Sequence, residues 1–257
     1  MNIEFKINKF SLIQSAIKSG ELEKVNRLLW KDFCNEPAFY FLNPKHLDWS
    51  LEEIFIQSEK EGFKERFLKL AENLEKILKE ASKSNKFKKI LSETERYKKL
   101  VEGQWNDNKE LVLSFFKNEL GLKIPNYTIT VFVFPPEFCK GRMNPDKKYI
   151  LWGHKEDWEN YSTVYLAHEI LHILVDKNCK NKNLMHAIIE LATDNELRIR
   201  LNKEGRYFKE GKLKVGHQHL KKIEKKIFPQ WKKYLKKPGN KNIFILEKEI
   251  KKLKYKI

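Results

Sequence analysis

Cysteine is scarce in this chain. Only Cys34, Cys139 and Cys179 occur among its 257 residues, an odd number that contains no Cys-x-x-Cys pair. Cysteines so few and so far apart argue against a disulfide framework and against a zinc site built from cysteine pairs. They are typical of a protein in a reducing compartment, and we therefore expect a cytoplasmic location.

Long apolar runs are missing as well. No stretch approaches the roughly 20 apolar residues of a membrane-spanning helix, and the opening Met-Asn-Ile-Glu-Phe-Lys lacks the apolar core of a signal peptide. Hydrophobic residues nevertheless make up 41% of the chain and aromatic residues 12%, enough for a core in one large domain or two small ones. The composition predicts a soluble globular protein.

Acidic residues are outnumbered by basic ones, 35 to 52, which gives a formal net charge of +17. The excess is uneven, because residues 221–257 hold fourteen lysines against three glutamates. Such a surface could bind nucleic acid, an anionic membrane or an acidic protein. The simpler interpretation is a lysine-rich solvated surface, since bidentate contacts to phosphate or guanine favour arginine over lysine.

Apolar periodicity predicts an α+β protein that is mostly helical. Residues 1–122 read as an N-terminal helical region, with long helices over about 51–81, 82–100 and 104–120. Residues 123–257 read as a second region, which we expect to pack with the first as one compact unit. Its predicted elements are strands at 127–134 and 149–152, an irregular loop at 141–145, and helices at about 161–176, 184–202, 217–228 and 242–256.

A metal-binding motif lies within the first of these C-terminal helices. His168, Glu169 and His172 form the pattern His-Glu-x-x-His inside an apolar run. Histidines four residues apart share one helix face, so both rings can reach one metal ion, and the glutamate can take a proton from a metal-bound water. The alternative is a core helix whose histidines make unrelated hydrogen bonds, but burying such groups without a common partner is costly. The motif predicts Zn²⁺.

A catalytic zinc ion needs a third protein ligand. The metzincin pattern is excluded, because Asn178 stands where a third histidine would be required. Glu190 is the strongest candidate, since it lies in an apolar stretch where an unpaired carboxylate would be costly. His186, one helical turn earlier on the same face, is its main rival, and Glu196 faces another side of the helix.

The motif followed by Glu190-x-x-x-Asp194 resembles the gluzincin zinc peptidases, over roughly residues 145–205. The resemblance implies that Glu190 joins His168 and His172 as a zinc ligand. It also implies that Asp194 hydrogen-bonds a ligand histidine and fixes its tautomer. Glu169 would then act as the general base.

Gluzincins also have a small sheet over the active-site helix, whose edge strand pairs with an extended peptide substrate. By this resemblance the strand at 148–153 could be that edge; the alternative is an ordinary hairpin strand. A tyrosine or histidine after the glutamate helix usually stabilises the oxyanion in such sites. Tyr207, His217 and His219 are candidates by their order in the chain, and the sequence favours none of them.

The sequence therefore predicts a zinc metallopeptidase that hydrolyses peptide bonds with a metal-activated water. The alternative is an interaction protein whose basic residues 221–257 bind nucleic acid or an acidic partner, with zinc in a structural role. An intermediate hypothesis is a peptidase recruited to nucleic acid through the same residues.

Overall fold

A computed structural model describes residues 1–7, 12, 83–138, 140–146 and 148–253. As predicted, the described part is α+β and mostly helical, with a four-stranded mixed sheet and a small separate hairpin. The helices predicted before residue 82 lie outside the described residues. None of the described helices is long and apolar enough to cross a membrane.

The chain forms two compact units. One consists of Met1–Glu4, Leu100–Val131 and Gly141–Ile257, and the other of Phe5–Lys99 and Phe132–Lys140. All residues of the candidate site described below belong to the first unit.

A single long helix, α1 (Asn85–Asn118), replaces the two helices predicted over 82–100 and 104–120. That prediction was wrong because it ended one helix just before Gly103. An isolated glycine costs a helix only about 1 kcal/mol, and burial of a continuous apolar face outweighs this cost. The buried face does continue past the glycine, with Val101, Trp105, Val112 and Phe116.

The sheet contains β1 (Asn2–Ile7), β2 (Thr128–Val133), β3 (Lys140–Asn144) and β4 (Tyr149–Gly153), in the order β1-β2-β4-β3. Strands β2 and β4 confirm the predicted strands. The loop predicted at 141–145 was wrong, because β3 occupies it. The edge position predicted for 148–153 was also wrong, because β4 lies between β2 and β3.

Strand β3 is instead an edge of this sheet among the described residues. Its sequence, Lys-Gly-Arg-Met-Asn, has no alternation of apolar and polar residues, so its pattern gave no strand signal. Polar residues are typical of edge strands, which have one unpaired side. Strand β4, in contrast, is buried along its whole length.

Two consecutive helical segments carry the candidate site. The first is α2 (Tyr161–Val175), which packs against β4 and against the second segment. The second runs without a break through α3 (Lys182–Glu190), a π-helical turn (Leu191–Leu197) and α4 (Arg198–Asn202), close to the predicted 184–202. Asn181 caps it by accepting a hydrogen bond from the Leu184 N–H.

The start of α2 is held by side-chain contacts to other helices. Asn160 stands at the N-cap position with φ 59°, but its side chain makes no capping hydrogen bond. It bonds instead to the side chains of Asn108 and Asn202, which ties the start of α2 to α1 and α4.

After α4 come a hairpin, β5 (Lys209–Glu210) and β6 (Leu213–Lys214), and then α5 (Lys221–Lys236) and α6 (Ile243–Lys252). The helix expected to stop before Pro229 was predicted wrongly, because α5 continues through this proline. Its apolar face buries Ile227, Trp231 and Tyr234 on both sides of Pro229, and this packing outweighs the lost backbone hydrogen bond.

Candidate metal centre

The two histidines of the motif face each other on α2. Their Nε2 atoms are 3.2 Å apart. Two nitrogens bound tetrahedrally to one zinc ion at about 2.0–2.1 Å would be about 3.3 Å apart. The helix therefore holds His168 and His172 at the separation that one shared ion requires.

Each of these rings is oriented by a carboxylate on its other nitrogen. His168 Nδ1 donates to Asp194 Oδ1 at 2.8 Å, and His172 Nδ1 donates to Asp176 at 3.0 Å. Such bonds fix the tautomer that leaves Nε2 unprotonated for a metal. Asp194 thus holds His168, one of the two histidines of the motif. Sequence reasoning missed Asp176, although its spacing of four residues from His172 was a readable signal.

Three carboxylates act on the charge of His168. Burial, the largest single cause, lowers the pKa of His168, but the charge and hydrogen bond of Asp194 and the charges of Glu169 and Glu190 together raise it to about 9. The site thus attracts positive charge at the position where a cation would bind.

Glu169 is half-buried beside the two histidines. Burial raises the pKa of its carboxyl, while His168 and His172 act in the opposite direction. Strand β3 passes close by, because a Cβ at Gly141 would lie 3.5 Å from Glu169 Oε1 and 3.0 Å from the Trp152 ring. The carboxylate therefore lies close to the backbone of the edge strand.

Glu190 ends α3 and is fully buried. Its Oε1 accepts hydrogen bonds from the backbone N–H of His217 at 2.9 Å and from His217 Nδ1 at 2.5 Å. Its Oε2 lies 3.5 Å from Lys221 Nζ. Burial raises the pKa of this carboxyl, but the hydrogen bonds from His217 and the charge of Lys221 lower it overall, so Glu190 is ionised.

A second buried carboxylate stands behind this contact. Glu224 accepts hydrogen bonds from Lys221 Nζ at 2.8 and 3.0 Å, so one ammonium group lies between two buried glutamates. Burial and the charge of Glu190 raise the pKa of Glu224. Lys221 therefore places a positive charge beside Oε2 of Glu190.

Histidines gather around this group. Ring nitrogens of His168, His186 and His217 all lie within 4.8 Å of one another, which makes them a possible metal-binding set. His219 stands next to His217, with ring centroids 5.6 Å apart. With His172 added, five of the seven histidines in the chain belong to one cluster.

His186 is the least satisfied member of the cluster. Its Nε2 is buried and has no hydrogen-bond partner among the described residues, since the nearest carboxylate oxygen, Glu190 Oε1, is 3.7 Å away. Burial, and then the neighbouring His168 and His172, lower its pKa to about 3. The ring is therefore neutral, which is the form that binds metals.

A glycine lets the His217 loop approach the buried carboxylate. Gly216 has φ 75°, and a Cβ on it would overlap Glu190 Oε2 and lie 2.8 Å from Lys221 Nζ. Only glycine accommodates both the left-handed backbone and this close approach. The sequence alone does not reveal this role of Gly216.

The other two candidates from the sequence, Tyr207 and Glu196, hydrogen-bond to each other and to groups outside the histidine cluster. The Tyr207 hydroxyl donates to Glu196 and accepts from Trp231 Nε1 at 3.1 Å. Glu196 also accepts from Arg200 Nε at 2.9 Å. Neither side chain offers a free ligand atom to the cluster, so His217 and His219 are the oxyanion candidates that the fold brings to it.

Buried Arg198 secures the loop that carries His217. Its Nε donates to the Asp194 carbonyl at 2.8 Å, and its Nη2 donates to the carbonyls of Arg206 and Lys209 at 2.8 and 3.2 Å. One guanidinium thus joins the π-helical turn to the β5–β6 hairpin. The π-helical turn, a feature often found at functional sites, was not predicted.

Comparisons with known proteins assign no family to this arrangement, since no family model, curated protein or solved structure matches the chain.

Proposed function

We propose that the protein is a zinc-dependent metallopeptidase whose metal centre is built on His168 and His172. The observation that carries the proposal is the 3.2 Å separation of their Nε2 atoms, with each Nδ1 on an aspartate. A core helix with unrelated hydrogen bonds gives no reason for two imidazoles to face each other in this way.

The donors around the site fit zinc. Imidazole nitrogens and carboxylate oxygens are its usual ligands, and catalytic zinc takes three of them beside an open position. The buried Nε2 of His186, without a hydrogen-bond partner among the described residues, is further support. The gluzincin pattern would assign the third position to Glu190, and His186 and His217 are its rivals.

The protein's own groups would act in a simple order. Zinc bound here would supply an acidic water and polarise the scissile carbonyl. Glu169 would accept a proton on its carboxylate and later donate it to the leaving amine. Its raised pKa, caused by burial, suits a group that must do both near neutral pH.

Strand β3 supports a peptide as the substrate. It is an edge strand whose Gly141 lies beside Glu169, so an extended peptide paired with it would pass in front of that carboxylate. We place this reaction in the cytoplasm, as the cysteine content implies.

Cleavage of a peptide library by the zinc-loaded protein, followed by mass spectrometry, tests the function. Glu169→Gln should bind zinc as the wild type does but cleave about 10²–10⁴ times more slowly, because glutamine cannot take up the proton. Equal cleavage by this variant would refute the mechanism. Metal content, measured on both samples, is the control.

A second candidate, binding of an anionic partner, is favoured by the exposed lysines of α5. Lys222, Lys225, Lys233 and Lys236 are exposed on a helix whose apolar face is buried. A structural zinc site beside a nucleic-acid-binding surface is thus the competing account. Changing Lys222, Lys225 and Lys233 to glutamine keeps the buried face intact and should flatten the salt dependence of RNA or DNA binding. An unchanged salt slope would argue against this surface.

A further inference from the structure

His217 repeats the arrangement of the two motif histidines. Its Nδ1 donates to a carboxylate, Glu190 Oε1, at 2.5 Å, just as His168 and His172 donate theirs to aspartates. Metal-binding histidines almost always make this second contact, because it fixes the tautomer and increases the basicity of the other nitrogen. The cluster therefore contains three carboxylate–histidine pairs, each with Nε2 left for a metal.

The third pair is also close to the first. His217 and His168 present ring nitrogens within 4.8 Å of each other, and their ring centroids are 6.0 Å apart, against 4.9 Å for His168 and His172. A shift of up to about 1.5 Å would bring these nitrogens to the separation of about 3.3 Å that a shared ion requires. Its side chain is 49% exposed, so it has room to move.

One oxygen of Glu190 is already committed to His217. Oε1 accepts two hydrogen bonds from His217, while Oε2 lies 3.5 Å from the ammonium of Lys221 and has no hydrogen-bond partner among the described residues. A carboxylate that bound zinc through Oε1 would have to give up these hydrogen bonds while fully buried. As the partner of a ligand histidine it keeps them.

His186 lacks such support. It lies among the other rings, with centroids 5.2 Å from His168 and 4.9 Å from His217. Its Nε2 has no carboxylate within hydrogen-bond distance among the described residues. Its free Nε2 could bind a metal, but the one carboxylate ion pair of this ring is the 3.7 Å approach of Glu190 Oε1 to that same nitrogen, so we rank it behind His217.

We propose that His217 is the third zinc ligand and that Glu190 is the positioning residue behind it. The inference rests on the proposed zinc site but departs from the gluzincin pattern, in which the glutamate binds the metal itself. It makes the centre a three-histidine site completed by an exposed loop after the glutamate helix.

X-ray absorption spectroscopy of the zinc-loaded full chain tests this directly, because scattering from imidazole rings counts the histidine ligands. Three imidazoles per zinc are expected. His217→Ala should reduce this number to two and weaken zinc binding more than a hundredfold, while His219→Ala, two residues along the same exposed loop, should change neither. Two imidazoles in the wild type would overturn the inference. So would a loss of one imidazole in the His219 variant.

Glu190→Gln separates the two roles of the glutamate. A glutamine oxygen can still accept the hydrogen bond from His217 Nδ1, so the variant should keep three imidazoles and bind zinc about 10–100 times more weakly. Three imidazoles in the wild type together with unchanged zinc affinity in this variant would leave Glu190 without a positioning role and overturn that half of the inference.

Chemical rescue distinguishes a ligand from a residue that only supports the fold. His217→Gly leaves an opening at the exposed end of the site, and added imidazole should restore zinc binding and the third ring signal. Failure of rescue in a folded variant would contradict the inference. Zinc held by three histidines without peptide cleavage would refute the peptidase and leave the ligand set standing, whereas absence of zinc from the wild type would refute both.

Discussion

The two sides of the candidate metal centre are built differently. On the helix side, His168 and His172 project from one face of α2 and are held by Asp194 and Asp176. On the loop side, His217 stands on an exposed segment that reaches the buried Glu190 only through Gly216. The helix side is fixed by backbone hydrogen bonding, and the loop side depends on a few side-chain contacts.

This difference indicates that the helix side determines whether a metal ion binds and that the loop side completes its ligand set. A helix presents two ligands at a fixed distance before any metal arrives, so it determines whether an ion binds at all. A loop adds its ligand at an entropic cost and can be lost with smaller consequences. Removal of a ligand should therefore have a larger effect on the helix side than on the loop side.

The largest effect is expected for His172→Ala. Removing one of two preorganised ligands should abolish both zinc binding and peptide cleavage. The melting temperature should then no longer rise when zinc is added, because a metal stabilises the fold only if the native state binds it. Calorimetry with and without zinc measures this. A zinc-dependent rise equal to that of the wild type would show that the ion binds elsewhere.

Substitution of the two aspartates should have a smaller effect on zinc affinity, and the size of this effect should differ between Asp194 and Asp176. Asp194→Asn and Asp176→Asn should weaken zinc binding by about 10–100-fold, because each leaves a ligand ring less well oriented. Asp194 is fully buried, whereas the Asp176 side chain is 25% exposed. Water can therefore replace the aspartate at His172 more readily than the one at His168, and we expect the larger loss for Asp194→Asn. Competition with a chelating dye measures both affinities, and a larger loss for Asp176→Asn would contradict the account.

The smallest effect is expected from a substitution that disturbs only the backbone of the His217 loop. Gly216→Ala should reduce the free energy of unfolding by about 1–3 kcal/mol, through strain at positive φ and overlap with Glu190. Gly211→Ala is the matched control, because Gly211 also has a positive φ, 53°, but no atom lies within 4 Å of its added Cβ. Urea denaturation measures both variants, and equal losses would show that the close approach of the loop contributes nothing.

Sequence reasoning worked best where periodicity was strong. The apolar flanks of His168 placed α2 to within a residue or two, and the run around Glu190 predicted the second helical segment. Sequence reasoning was less accurate where a single glycine or proline interrupts a helical pattern. Gly103 and Pro229 were read as breaks, although buried side chains on both sides carry each helix through.

The loop side of the site was the least predictable part. The order of residues in the chain could list His217 and His219 but could not rank them, because the contact that distinguishes His217 is made with Glu190, on a helix distant in the sequence. The edge strand β3 was missed for a related reason. Its polar residues carry no alternation, and only its neighbours in the sheet make it a strand.

The central claim is that His168 and His172 hold one zinc ion between them. Elemental analysis of the full chain, purified without added metal and then dialysed against zinc, tests it most directly when His172→Ala is treated in parallel. The account predicts about one zinc ion per wild-type chain and almost none in the variant. The same zinc content in both, or none in the wild type, would contradict it.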